Sequence, residues 1–150
     1  MQPSSASEAT DTRELAWRLL QLWKYVARRA GGELADLLDE LGLSLGQLKT
    51  LETLVALPSA PSVKELSESL GCSLPNSSRA VDALARRGLI ERREDEDDRR
   101  IKRVSITAEG RRALTRIDAL RTRALESYAA SLDEDQRAAL ADTLTGLPGS

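Results

Sequence analysis

The sequence predicts a mainly α-helical fold with one small β-hairpin. Three observations predict it. Apolar residues recur at helical spacing through most of the 150 residues. Two capped helical stretches meet at a short turn around Gly71. A segment with apolar positions Ile101, Val104 and Ile106 follows the charged run EDEDDRR, which cannot bury itself.

The chain opens on a polar stretch, MQPSSASEATD, so residues 1–11 are expected to form a disordered tail. Glu14 to Arg29 reads as a helix with a wide apolar arc. Leu15, Leu19, Leu22 and Val26 form one stripe, and Trp17, Leu20, Trp23 and Ala27 form a second. Arg18, Gln21, Lys24 and Arg28 leave only a narrow polar strip. A helix packed on one neighbour shows a narrower arc, so this one is expected to be covered on more than one side, by a second subunit. Leu34, Leu37, Leu38 and Leu41 predict a short second helix. Ser44 and Gln47 have the spacing of a capping box, where each side chain satisfies a free backbone donor of the first turn. They start a third helix carrying Leu48, Leu51, Leu54 and Val55. Pro58 to Pro61 is a linker of turn residues.

Ser62 and Glu65 form another capping box, and Val63, Leu66 and Leu70 give the next helix one apolar face. Gly71 ends it, because glycine adopts the left-handed conformation at little cost. Ser73 is the N-cap of the following helix, and Pro75 is tolerated because it falls in the first turn. Ala80, Val81 and Leu84 face the core, and Gly88 closes the helix. Two helices joined by a short turn with glycine form the arrangement that places its second helix in the major groove of DNA. Leu89 to Arg93 and Ile101 to Ile106 are then two strands of a hairpin whose charged tip is a solvated loop, a wing.

Thr107 caps the next helix, with Glu109 favourable near its positive end. Arg111 to Ser131 is long, with Leu114, Ile117, Leu120, Ala124, Leu125 and Tyr128 on one stripe. Asp133 and Gln136 start a last helix with Leu140 and Leu144 inward. Helices flanking the central unit at both ends are hard to bury in one small lobe.

Composition narrows the function. The chain contains no histidine, which excludes histidine-based triads, histidine metal sites and histidine pH switches. There is no glycine-rich phosphate loop and no pair of carboxylates in a predicted pocket, so an enzyme is not expected. Cys72 is the single cysteine, so no intrachain disulfide forms, as suits a reducing cytoplasm. No apolar run approaches the ~20 residues that cross a bilayer, and no membrane partner is expected. Net charge is −2, and Pro61 to Gly110 holds ten acids and ten bases, so the basic balance usual for nucleic-acid binding is missing. Distribution carries the case instead. Arg79, Arg86 and Arg87 share a helix with Asp82 alone opposing them, and Arg99, Arg100, Lys102 and Arg103 crowd one side of the wing.

With GCSLPNSSRAVDALARRGLIERR, and with DRRIKRVSIT followed by AEG, the chain resembles the MarR family of winged-helix regulators. The wing segment fits that family's D-x-R-x-x-x-x-x-L-T pattern at Asp98, Arg100, Ile106 (in place of leucine) and Thr107. The resemblance implies a winged helix-turn-helix lobe plus an all-α dimerisation region from both chain ends. Residues 12–150 would be one domain, with dimerisation helices at 12–43 and 111–150 and the DNA-binding lobe at 44–110. Its partners would be double-stranded DNA and a second copy of the chain. It further implies a homodimeric repressor of a pseudo-palindromic operator, with no cofactor and no metal. A small phenolic or anionic effector would release the DNA from a cleft between the dimer helices and the DNA-binding lobe.

Candidate site residues follow. Ser73, Asn76, Ser78 and Arg79 lie on the N-terminal half of the reading helix, with Pro75 offering apolar contact. Arg79 suits guanine and Asn76 suits adenine. Arg86 and Arg87 are each set to touch a phosphate or stand in solvent. One of Arg99 and Arg100 is expected to enter the minor groove, where width is read, with Lys102 beside them. Asp98 is expected to hold a wing arginine. Ser77 replaces an apolar residue usual in the family and is expected to turn to the core. Cys72 is expected to be a buried structural cysteine. Trp17, Trp23 and Tyr25 lie at helical spacing and read first as packing, then as a lining for the effector. The alternative to DNA binding is a winged-helix protein-interaction module, which the balanced charge favours.

Overall fold

The computed structural model describes residues 11–146. Six helices and two strands run in the order α1 (Thr12–Leu41), α2 (Leu45–Ala56), α3 (Val63–Leu70), α4 (Leu74–Arg86), β1 (Ile90–Glu94), β2 (Lys102–Ile106), α5 (Ala108–Ala130) and α6 (Glu134–Thr145). The tail expected at residues 1–11 lies, apart from Asp11, outside the described residues. No helix among the described residues is long and apolar enough to cross a membrane.

The chain divides into two compact units, one of Glu33–Leu120 and one of both chain ends, up to Gly32 and from Arg121. In the central unit, Leu48, Leu51 and Leu54 of α2, Leu66 of α3, and Val81 and Leu84 of α4 bury against Ile90, Val104 and Ile106 of the hairpin. Leu38, Leu43, Ala113, Leu114 and Ile117 complete this core. The helix starts are fixed locally. Ser44–Gln47, Ser62–Glu65 and Asp133–Gln136 all form the reciprocal capping boxes their spacing predicts.

The hairpin is antiparallel, with Ile90 opposite Ile106 and Glu94 opposite Lys102. The Pro58–Pro61 linker does more than turn. Pro61 is buried, its carbonyl accepts from Val104 N at 2.8 Å, and Ser62 bridges to Arg103. The linker thus ends as a one-bridge third strand beside β2. Gly110 sits at the start of α5 where the chain passes the hairpin base. A β-carbon there would collide with Leu89 O and lie 2.7 Å from Ile106 Cγ1, so only glycine fits.

Two expectations need correction. The two helices expected at Glu14–Arg29 and around Leu34–Leu41 are one helix of 30 residues. Val26, Ala30, Leu34, Leu37 and Leu41 keep one helical register across Gly31 and Gly32, and all are buried or half-buried. Continuous burial overrides the helix cost of two glycines, about 1 kcal/mol each. Leu140 and Leu144 do not turn fully inward: Leu140 is half-buried, Leu144 is exposed, and α6 buries no residue within the chain.

In the unit of the chain ends, Tyr25 packs on Tyr128 with ring centroids 5.5 Å apart. Most of the apolar arc of α1 is uncovered, including Leu15, Trp17, Leu19, Leu20 and Trp23.

Candidate nucleic-acid interface

The helix-turn-helix is built by three local devices. Gly71 takes φ +64, and the next N–H, of Cys72, returns to Ser67 O at 3.1 Å, which stops α3 and redirects the chain. Ser73 then accepts from Asn76 N and starts α4, with Pro75 in the first turn. The inward residues Ser77, Val81 and Leu84 anchor α4 in the core. That anchoring turns Pro75, Asn76 and Arg79 to solvent, while Ser78 is half-buried at the edge. Arg79 Nη2 lies 2.5 Å from Asn76 Oδ1, so the two form one exposed polar group.

Ser77 is buried as expected, and its hydroxyl lies 3.1 Å from Cys72 Sγ. Cys72 itself is exposed, which corrects the expectation of a buried cysteine. The turn after left-handed Gly71 carries its side chain to the surface beside Ser77. The two residues line a cleft of ≈520 Å³ between α2 and α4, with Ser44, Lys49, Asn76 and Arg79 also in its walls.

Charge on α4 is sorted by its neighbours. Asp82 is paired by Arg92 of β1, so the acid of the reading helix is neutralised. Arg87, expected at a phosphate or in solvent, instead donates to the carbonyls of Leu41 and Gly42 and thereby caps the end of α1. Arg86 is exposed and makes no side-chain hydrogen bond or ion pair among the described residues.

The wing tip is equally ordered. Asp98 holds Arg100 through two contacts of 3.1 Å, and Arg100 N donates to the same carboxylate at 3.0 Å. The Arg100 side chain nevertheless stays 90% exposed. This bonding, led by the guanidinium, holds the Asp98 carboxyl below its ordinary range and raises Arg100. Arg99 is exposed with no such partner among the described residues. Lys102 pairs with its cross-strand neighbour Glu94 at 2.8 Å. Arg103, grouped with the other wing bases from sequence, has a different place. It is half-buried between Glu65 of α3 and Asp95 of the tip. Only the Ser62–Arg103 bridge across the fold brings these three together, a long-range pairing with no local signal.

A reading helix and an arginine-bearing wing therefore stand on one unit, attached to a long-helix unit with an uncovered apolar face. The MarR family model matches residues 43–102. Over that segment the chain is similar to the MarR family. The match begins just after α1 and spans α2, the helix-turn-helix and the wing as far as the first residue of β2. The HTH-type transcriptional regulator PrsX of Escherichia coli is 27% identical over 120 residues, covering 79% of this chain and 72% of PrsX. Transcriptional regulator Tm0710 from Thermotoga maritima has a similar fold, with TM-score 0.75 at 20% identity, over 89% of this chain and 90% of that one. A mutant of S. aureus MepR bound to an oligodeoxyribonucleotide superposes with TM-score 0.66 at 20% identity, over 85% of this chain and 93% of that one.

The aromatic trio lies along α1. Trp17 and Trp23 are 59% and 66% exposed on α1, and Tyr25 is half-buried against Tyr128. Lys24 Nζ lies 5.7 Å from the Trp17 ring centre.

Proposed function

We propose that the chain is a homodimeric, sequence-specific DNA-binding repressor of a pseudo-palindromic operator. The observation that carries this is the outward Asn76–Arg79 pair on the first turns of α4, with Ser77 turned to the core behind it. Ser73, Pro75 and Ser78 flank that pair, and Arg86 stands free at the far end of the same helix for a phosphate. Arg99, Arg100 and Lys102 are the wing's contribution, with one of Arg99 and Arg100 for the minor groove. A MepR mutant that shares this fold is bound to an oligodeoxyribonucleotide, which supports a DNA-binding role. The uncovered apolar arc of α1 supports a dimer whose symmetry the operator repeats, with half-sites about one helical turn apart. Trp17, Trp23 and Tyr25 would then pack in the dimer and border a site for a small phenolic or anionic effector. Such an effector releases DNA only through unequal affinity for the bound and free forms.

The test is selection from a random duplex pool, followed by titration of the winner and a scrambled control over a salt series. A palindromic winner bound far more tightly than the control supports the reading. The slope of log affinity on log salt, roughly −0.9 per phosphate neutralised, then counts the basic contacts. Equal and weak binding to both would favour the protein-interaction module that the balanced charge suggests.

A further inference from the structure

Arg103 sits where three parts of the central unit meet. Its Nη1 lies 2.6 Å from Glu65 Oε2 in the first turn of α3, and its Nε lies 2.6 Å from Asp95 Oδ2 at the base of the wing loop. Its backbone bridges to Ser62. Both carboxylates are in use elsewhere as well. Glu65 Oε2 accepts from Ser62 N at 2.7 Å and completes the capping box. Asp95 Oδ1 accepts from Asp97 N at 2.9 Å and Asp98 N at 3.1 Å, which shapes the tip. Asp98 in turn holds Arg100. A continuous set of bonds thus runs from α3 through Arg103, Asp95 and Asp98 to Arg100.

We propose that Arg103 is a positioning residue for DNA recognition: it fixes the wing, and with it Arg99 and Arg100, against the helix-turn-helix without touching DNA. The inference rests on the DNA-reading role proposed above. Two carboxylates within 2.6 Å leave this guanidinium no charge to spare for a phosphate, and it is half-buried. A two-stranded hairpin is marginal alone, so something must hold its direction. The Ser62–Arg103 bridge and the Pro61–Val104 bond fix its base, and the side chain of Arg103 reaches both α3 and the tip loop. The rigid guanidinium fork serves two acceptors at once, whereas a lysine ammonium is a single point charge.

The test compares the full chain with Arg103→Ala, Arg103→Lys, Asp95→Asn, Arg99→Ala and the Arg99→Ala/Arg103→Ala pair. Each is titrated against the selected duplex over a salt series, and its melting temperature is recorded. Arg103→Ala and Asp95→Asn are expected to weaken binding by about tenfold, and Arg103→Lys to recover only part of that. The salt slope should match wild type, since no phosphate contact is lost. With Arg99 already alanine, the loss from Arg103→Ala should shrink, because a wing left with Arg100 and Lys102 gains less from being held. If Arg103→Ala fails to fold, Asp95→Asn carries the test, since it cuts the strut yet keeps the oxygen that binds the tip. Unchanged affinity in a folded Arg103→Ala and in Asp95→Asn overturns the proposal. So does a salt slope reduced by about 0.9, which would make Arg103 itself a phosphate contact, and so does a fully additive pair with Arg99. A wild type without sequence preference overturns the DNA reading itself, and this is seen before any variant is compared.

Discussion

Arg79 donates to Asn76 Oδ1 at 2.5 Å across one turn of α4. The bond occupies one lone pair of the amide oxygen and leaves the Asn76 amide N–H groups and the remaining Arg79 donors facing outward. Such a pair offers mainly donors, and it suits the acceptor-rich edge of guanine better than that of adenine. Arg79→Ala is expected to cost about 1–3 kcal/mol of binding free energy on the selected duplex. Asn76→Ala should also relax the base preference at the Arg79 position. The double variant should lose less than the two single losses together, by at least about 0.5 kcal/mol. A strictly additive cycle would show that the two side chains read separate bases.

Gly110 meets Leu89 O and Ile106 Cγ1 at distances no β-carbon tolerates. The nearest obstacle is backbone, so it cannot rotate away. Gly110→Ala is expected to destabilise the chain by about 3 kcal/mol or more in chemical denaturation. Neighbouring Ala108→Gly, on the exposed side of the same turn, should cost under ~1 kcal/mol. Equal losses at the two positions would mean that α5 does not pass so close to the hairpin base.

Features set by near neighbours were legible in the sequence. Capping boxes span three residues, and the left-handed turn at Gly71 and the Asp98–Arg100 pair are equally local, so residue type and spacing suffice. The inward turn of Ser77 followed from the apolar residue usual at that place in the family the sequence resembles. Features set across the fold were not legible. Gly31 and Gly32 suggest a break, yet the stripe from Val26 to Leu41 stays in register and carries one helix through. Arg103 looks like any wing base until Ser62 is placed beside it. Cys72 occupies a position that reads as apolar, and only the path of the turn exposes it.

Acid should loosen the wing. Ser62 N–H chiefly holds Glu65 below its ordinary value of 4.5, and the Arg103 and Arg100 side chains chiefly hold Asp95 and Asp98 below 3.8. A carboxyl whose pKa is lowered by folding stabilises the fold above its unfolded value, and that contribution fades as pH falls through the folded one. The loss therefore begins near pH 4.5 and continues below 3.8, while the arginine partners stay charged. No histidine is present to add a transition near neutrality. Melting temperatures followed from pH 7 to pH 3 should be flat at first and fall below about pH 5. Glu65→Gln should start lower and fall less steeply. An equally steep fall in that variant would assign the acid loss to other carboxyls.

The apolar arc of α1 calls for a cover. Leu15, Trp17, Leu19, Leu20 and Trp23 are all exposed within one chain, and clustered exposed apolar side chains of this kind mark an interaction surface. A second copy is the expected cover, and the two tryptophans, the only ones present, report on it directly. Light scattering after size exclusion should give twice the chain mass. Tryptophan emission should shift to the red as the protein is diluted through dissociation. Trp23→Glu places a charge in the middle of the arc and should give a monomer with red-shifted emission at any concentration. The core of the central unit contains no part of that arc, so its helix-turn-helix should stay folded in the monomer. The monomer should still bind a half-site, but it should lose most of the affinity for the full palindrome, since joined half-sites gain about 10²–10⁴ from effective concentration. A wild type that is monomeric at tens of micromolar, with emission already red-shifted, would leave the arc uncovered and remove the basis for a palindromic operator.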